Sequence, residues 1–183
     1  MRYPIHTAET AADAAKDILS GAQKSYGFDP NLLATMAEAP ALLKAYVTLS
    51  RIFEESSFNA AERQVVLLTV SYENDCEYCI AAHSVIAGMQ GVPDTVVAAI
   101  RDGEPIPNPQ LEALRRFTAA VVGSRGWPTE AEVNAFLAAG YGKQQVLEVV
   151  LGVGIKTLSN YTNHIAETPL DAAFAKATWS KAA

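Results

Sequence analysis

An all-α fold is what this sequence predicts, and three observations carry the prediction. Apolar residues recur at three- and four-residue intervals along nearly the whole 183-residue chain, and strand-like alternation is scarce. Turn-forming Gly, Pro and Asn residues break the pattern at helix-length spacings. Half the residues are apolar and 19% are charged, so a chain of this length can bury a core without staples. The expectation is one compact helical bundle of about eight to ten helices spanning residues 1–183.

The elements follow in order. Thr10 to Gln23 reads as a first helix, ended by Tyr26-Gly27-Phe28-Asp29-Pro30. Asn31 to Glu38 makes a short second one, and Pro40 opens a third that runs to about Glu55. Asn59-Ala60-Ala61-Glu62 has the pattern of a capping box. The helix it opens carries Val65, Val66, Leu67, Leu68 and Val70, apolar almost all round, and is therefore expected to be central. Asn74-Asp75 is expected to end it and to cap the next helix, which runs from about Cys76 to Met89. A short helix spans Pro93 to Arg101, and Gly103-Glu104-Pro105-Ile106-Pro107-Asn108-Pro109 is the strongest turn segment. Helices are expected at Gln110–Gly123, at Thr129–Ala138 with Thr129 as cap, and at Lys143–Ile165, with a last turn from Pro169. No internal repeat is evident, and the C-terminal helices, residues 110–176, are expected to pack on a core at about residues 44–100.

Several function classes drop out on composition. A net charge of −6 and no basic run longer than Arg115-Arg116 disfavour nucleic acid as a partner, because neutralising phosphates takes a basic patch. No apolar run approaches the ~20 residues that cross a bilayer, and the first residues lack the apolar segment of a secretory signal. A cytoplasmic protein without a membrane partner is expected. The two cysteines, Cys76 and Cys79, stand in one motif rather than closing large loops, which is not the spacing of a disulfide scaffold.

That motif is where the chemistry concentrates. On a helix Cys76, Cys79 and His83 lie at offsets of three and four and share one stripe, with both thiols in the first turn. Unpaired backbone N–H groups and the positive end of the helix dipole favour thiolate there. His83 is expected to take the Cys79 proton, or as imidazolium to stabilise the anion. Cys76 can then resolve a sulfenic acid or mixed disulfide. Two rival readings exist. The thiols can be inert core residues, or Cys-x-x-Cys can hold zinc, although three ligands on one continuous helix make a poor tetrahedron and only three histidines could complete the set. No bound metal or cofactor is expected.

The stretch from Glu62 to Ser71 followed by Cys76-Glu77-Tyr78-Cys79-Ile80-Ala81-Ala82-His83 resembles the alkylhydroperoxidase D-like members of the carboxymuconolactone decarboxylase superfamily. Asn160-Tyr161-Thr162-Asn163-His164 with Pro169-Leu170-Asp171 resembles a subgroup of it. The resemblance implies an all-helical fold, homotrimers or homohexamers, and reduction of peroxides or disulfides with electrons from an external dithiol, lipoyl-type or thioredoxin-like. By motif position it makes Cys79 the attacking thiol, Cys76 its partner and His83 the base, with Gln64, Tyr78 and Glu62 in support. The family's relay glutamate would stand twelve residues before Cys76, where this chain has Gln64. Gln can hold a water or a thiol but cannot accept a proton, and Glu62 is taken up as the capping-box partner. Lactone decarboxylation, the superfamily's other branch, works without a cysteine pair and is the alternative enzyme class. A non-catalytic oligomeric thiol sensor is the non-enzyme alternative.

Outside the motif, Lys156, Asn160, Asn163 and His164 form a polar stripe on the last long helix, read as a solvated or subunit-facing side, with a pocket lining opposite Cys79 as the functional alternative. His6 is expected in a frayed, inert terminus. Trp127 and Trp179 are expected to be packing or interface anchors. Gly152-x-Gly154 lies mid-helix and reads as close helix packing rather than a phosphate loop.

Overall fold

The computed structural model describes residues 3–181, and among them the chain is all helical. Nine α-helices run in order: α1 Asp13–Tyr26, α2 Asn31–Met36, α3 Pro40–Glu54, α4 Ala60–Glu73, α5 Glu77–Met89, α6 Asp94–Asp102, α7 Pro109–Gly123, α8 Glu130–Ala138 and α9 Lys143–Ala166. A 3-10 segment, Ala172–Ala177, follows.

The helix starts lie where the side-chain chemistry puts them. Asn59 accepts from the Glu62 backbone N–H at 3.0 Å while the Glu62 carboxylate accepts from Asn59 N–H at 2.8 Å, a complete capping box on α4. Thr129 and Glu132 repeat it on α8. α1 starts three residues later than the pattern suggests. Thr10 and Ala11 N–H groups both donate to the Thr7 carbonyl, so this turn consumes the first predicted residues. His6 is not in a frayed end: its N–H donates to Ala34 O and its Nε2 lies 2.7 Å from Glu38.

α4 is the hub. It packs on α5, α6, α7 and α9, and Val65, Val66, Leu68 and Val70 are fully buried on it. That burial on several sides is what an apolar circumference requires. α9 lies across α3 and α4, and the approach is close enough that a Cβ at Gly152 would sit 2.5 Å from Val66 Cγ1. Gly152 is thus a packing glycine, whereas Gly154 faces open space. Trp179 is buried and its indole N–H donates to Arg101 O at 2.8 Å. Trp127 is 85% exposed. Among the described residues no helix is long and apolar enough to cross a membrane.

The core divides into two clusters that meet at Tyr46. One gathers α3, α4, α6, α7, α8 and α9 around Phe53, Leu114, Phe117 and Phe136. The other gathers α1, α2 and α5 around Leu19, Leu33, Met36 and Phe174, and both cysteines belong to it.

Candidate functional site

The turn between α4 and α5 sets the first cysteine. Asp75 takes a left-handed conformation, φ 53°, and Cys76 N–H reaches back to Ser71 O at 2.9 Å while Asp75 N–H reaches Tyr72 O. This is a Schellman closure of α4. It displaces the expected cap by one residue, so Cys76 itself, not Asp75, precedes α5 and Cys79 sits at its third position. Lys181 braces the turn from the C-terminal segment, 3.3 Å from the Asp75 carboxylate and 3.2 Å from Tyr72 O.

Both thiols are buried and unbridged. The Asn163 side-chain amide on α9 donates toward both sulfurs, at 3.3 Å from Cys79 Sγ and 3.7 Å from Cys76 Sγ. Ser159 Oγ, one turn earlier on α9, lies 3.8 Å from Cys79 Sγ. One further turn back is Lys156, with no exposed surface and no oxygen or nitrogen partner for its ammonium. Its charge faces Cys79, Tyr46 and Cys76. A bare buried ammonium costs several kcal/mol, and the neighbouring sulfur is what can offset it.

The two thiols are pushed apart in acidity. Burial raises the Cys79 thiol, but the Cys76 S–H donated to it, the Lys156 charge and the Ser159 hydroxyl outweigh burial and hold it well below the ordinary thiol range. Cys76 is raised, first by its hydrogen bond to Cys79 and then by burial. The two directions agree: the negative charge is favoured on Cys79 and the proton on Cys76. Lys156 shows the reciprocal effect: burial works against its charge, and Cys79, Tyr46 and Cys76 hold it above its usual value.

His83 stands in the same cavity but points its Nδ1 elsewhere, 3.0 Å from Gln64 Oε1. Gln64 Nε2 in turn donates to Gln90 Oε1 at 3.0 Å. With the Gln64 oxygen facing the ring, His83 carries its proton on Nδ1 and leaves Nε2 as a lone pair. Burial and the Lys156 charge keep the ring well below its ordinary value, so it is neutral. The imidazolium expected to stabilise the Cys79 anion is therefore replaced by the Lys156 ammonium.

The remaining predicted residues have other tasks. Tyr78 is buried, its hydroxyl donates to Asp171 and accepts from Leu32 N–H at 3.2 Å. Asp171 also accepts Asn31 N–H at 3.0 Å, so this carboxylate caps α2 across 140 residues of chain and locks the residue between the thiols. Glu62 stays in its capping box. The polar stripe of α9 turns inward: Lys156, Asn160 and Asn163 are buried and only His164 is exposed, which corrects the solvent-facing reading. Among the described residues, no three His, Cys, Asp or Glu side chains converge as metal ligands.

Over Cys79 opens a largely apolar cavity of about 900 Å³. Tyr46, Lys156, His83 and Gln64 line it near the sulfur, and Leu33 and Phe174 supply apolar wall. Sequence reading had no means of assigning Tyr46, Ser159 or Gln90 to this site, since each is ordinary in its own helix.

Residues 37–120, which hold α3 to α6, most of α7 and the whole thiol motif, match the carboxymuconolactone decarboxylase family. The likeness of fold to solved structures covers nearly the entire chain. The chain superposes on an alkylhydroperoxidase core structure, an uncharacterized peroxidase-related protein from Ralstonia eutropha JMP134, with a TM-score of 0.85 at 20% identity, covering 94% of this chain and 93% of that one. The fold is that of the alkylhydroperoxidase core structure, and the carboxymuconolactone decarboxylase match lies within residues 37–120. A second peroxidase-related protein, from Silicibacter sp. TM1040, gives a TM-score of 0.77 at 18% identity, covering 89% and 87%. A cysteine-to-alanine variant of the debrominase Bmp8 in complex with 2,3,4-tribromopyrrole gives 0.79 at 19% identity, covering 97% and 95%. No curated protein matches the chain by sequence. At these identities the likenesses show the fold alone, the all-helical one that the sequence motif implies.

Proposed function

We propose that this chain is a cysteine-pair oxidoreductase that reduces peroxides or disulfides at Cys79 and is re-reduced by an external dithiol. The observation that carries the reading is the buried thiol pair under one Asn163 amide, with the buried Lys156 ammonium in the same cavity as Cys79. The Cys79 thiolate attacks one peroxide oxygen, the O–O bond breaks, and the alkoxide leaves as alcohol with a proton from the Lys156 ammonium. Cys79 is then a sulfenic acid. Cys76 sulfur attacks it, the S–S bond forms, and the Cys76 proton leaves with the hydroxide as water, which returns the site to oxidised form. A dithiol supplies the two electrons of the next cycle. His83 Nε2, an uncharged acceptor in the cavity, orients a substrate hydroxyl or hydroperoxyl proton.

The apolar cavity favours a substrate with a hydrocarbon or aromatic body. The debrominase among the fold neighbours adds a second reading by its ligand: a thiolate in such a cavity can also take bromine from a brominated aromatic as a sulfenyl bromide while the ring carbon gains a proton. Cys76 then closes the disulfide, bromide and a proton leave, and the dithiol is again the reductant. Lactone decarboxylation has less in its favour, because the polar groups of the site converge on sulfur.

The test is turnover. Protein given cumene hydroperoxide should consume many equivalents when dihydrolipoamide or reduced thioredoxin is present, and Cys79→Ser should lower the rate by at least about 10³-fold, as loss of a nucleophile does. Consumption of one equivalent and no more, with every dithiol offered, would make the protein a sensor instead.

The reading includes self-association. Leu147, Val150, Tyr161 and Ile165 share the outer face of α9, at offsets of three, fourteen and eighteen from Leu147, all exposed, and Leu147 and Ile165 are 71% and 65% open. An apolar stripe of this kind marks an interface. Light scattering should give a trimer or hexamer, and Leu147→Glu with Ile165→Glu should shift it to monomer. A wild-type monomer at micromolar concentration would remove this part of the proposal.

A further inference from the structure

A second cavity, of about 440 Å³, opens on the other side of the thiol pair. Cys76 and Asn163 line it, with Glu77, His164, Glu167 and Trp179 toward the mouth. Cys79 does not line it, and Cys76 does not line the larger one. Among the described residues the two cavities share only Tyr78, whose hydroxyl is tied to Asp171 and Leu32. Each sulfur thus has its own approach, with a fixed tyrosine as the wall between.

We propose that the Cys76 cavity is the docking site of the reducing dithiol, that this dithiol is compact and carries no negative charge, and that it attacks Cys76 Sγ of the disulfide while substrate uses the Cys79 cavity.

The inference rests on the oxidoreductase reading above and deepens it. Asn163 is 6% exposed, its amide nitrogen lies against both sulfurs and its carbonyl oxygen has no partner. An incoming S–H is a group that oxygen can accept from as it reaches Cys76. The mouth adds charge selection. Asp75 is paired with Lys181, but Glu77 and Glu167 are exposed carboxylates without a basic partner within ion-pairing distance among the described residues. A thiol carrying its own carboxylates meets repulsion there; an uncharged one does not.

The chemistry favours this direction of attack. A donor thiolate bonds to Cys76 Sγ, the Cys76–Cys79 bond breaks, and Cys79 departs as thiolate beside Lys156. In thiol–disulfide exchange the more acidic thiol is the better leaving group. The donor's second thiol then attacks the donor sulfur in the mixed disulfide. The donor closes to its own disulfide, and Cys76 leaves with a proton. Two electrons pass from donor to protein, and of the donor's two protons one remains on Cys76 and one returns to Lys156, which gave up its own in the oxidative half-reaction. Attack on Cys79 would instead expel Cys76, the poorer leaving group.

The experiment uses full-length protein whose disulfide has been made with diamide, so that it does not depend on peroxide being the substrate. Stopped-flow reduction by dihydrolipoamide should exceed that by dihydrolipoate several-fold at low salt, and the gap should close at high salt. His164→Trp narrows the mouth of the Cys76 cavity and should slow reduction about tenfold or more, with a less than twofold change in single-turnover oxidation by cumene hydroperoxide. Met89→Trp, at the exposed edge of the other cavity, should do the reverse. Acid-quenched protein treated with cysteamine should carry the adduct on Cys76. An adduct on Cys79, or the two tryptophan variants slowing the same half-reaction, would overturn the two-sided site. Failure of peroxide to oxidise the protein, with the reductive results intact, would remove the peroxidase reading alone. Failure of diamide to form the disulfide would remove both.

Discussion

Lys156→Met slows alkylation of Cys79 at pH 7. Alkylation needs thiolate, and in the wild type the thiolate is present well below the ordinary thiol range because the Lys156 ammonium, with Cys76 and Ser159, outweighs burial. Methionine keeps the length and the apolar stem and removes the charge. Each unit by which the Cys79 midpoint then rises lowers the reactive fraction at pH 7 about tenfold once the midpoint lies above 7. The variant should still fold, because the thiol left behind can take a proton and become neutral, unlike a carboxylate stripped of its partner. His83→Ala is the contrast. The ring is neutral and its Nδ1 is committed to Gln64, so its loss should leave the midpoint within a few tenths of a unit. The measurement is the rate of iodoacetamide modification from pH 4 to 10, with Cys76→Ser as background so that one thiol is read. If Lys156→Met leaves the midpoint unchanged and His83→Ala raises it, histidine rather than lysine sets the thiolate.

The fold and half of the site were legible for a shared reason: both are written in short-range spacing. Asn59 with Glu62, Thr129 with Glu132, and Cys76, Cys79 and His83 are three- and four-residue patterns, and helix geometry converts each into contact. Gln64 could be aligned with His83 only through the family resemblance, and the structure brings the two side chains within 3.0 Å. What sequence could not give is which way a polar residue on a long helix points. Lys156, Asn160 and Asn163 recur at offsets of four and seven, as a solvated stripe does, and nothing local distinguishes that from a stripe aimed at sulfur. The available signal was indirect. Gly152 stands one turn before Lys156, and a glycine that lets α4 and α3 approach marks the buried face of α9. Asp75 was missed for a different reason. A left-handed aspartate is uncommon, and Asn74-Asp75 equally well reads as an ordinary cap.

The second large effect is on stability and has a sign that wild type does not share. Cys76→Ala/Cys79→Ala removes the anion and leaves Lys156 buried without an oxygen or nitrogen partner. Stripping a buried charge of its counterpart costs about 3–5 kcal/mol if the charge persists. Lys156 limits that cost by releasing its proton, so its folded pKa falls below the unfolded value of about 10.4. Between those two pH values the unfolded chain binds one more proton than the folded one, and stability rises with pH by up to about 1.4 kcal/mol per unit. Wild type behaves otherwise. Its Cys79 is lowered, so the stability this contributes is lost as pH falls through the folded value and is complete above the unfolded thiol value of about 8.5. Its Lys156 is raised, so that contribution is complete below about 10.4 and is lost above it. From about pH 8.5 to 10 the pair adds no slope in wild type, while the double alanine variant gains stability at every step. Cys76→Ala/Cys79→Ala/Lys156→Met supplies the reference, because it shares every other titrating group. Urea unfolding at pH 7, 8.5 and 10 should find the double variant the least stable at pH 7 and converging on the triple variant by pH 10. A double variant that parallels the triple variant at all three pH values would mean that Lys156 is not held in place by the thiol pair, and the thiolate at Cys79 would need another source.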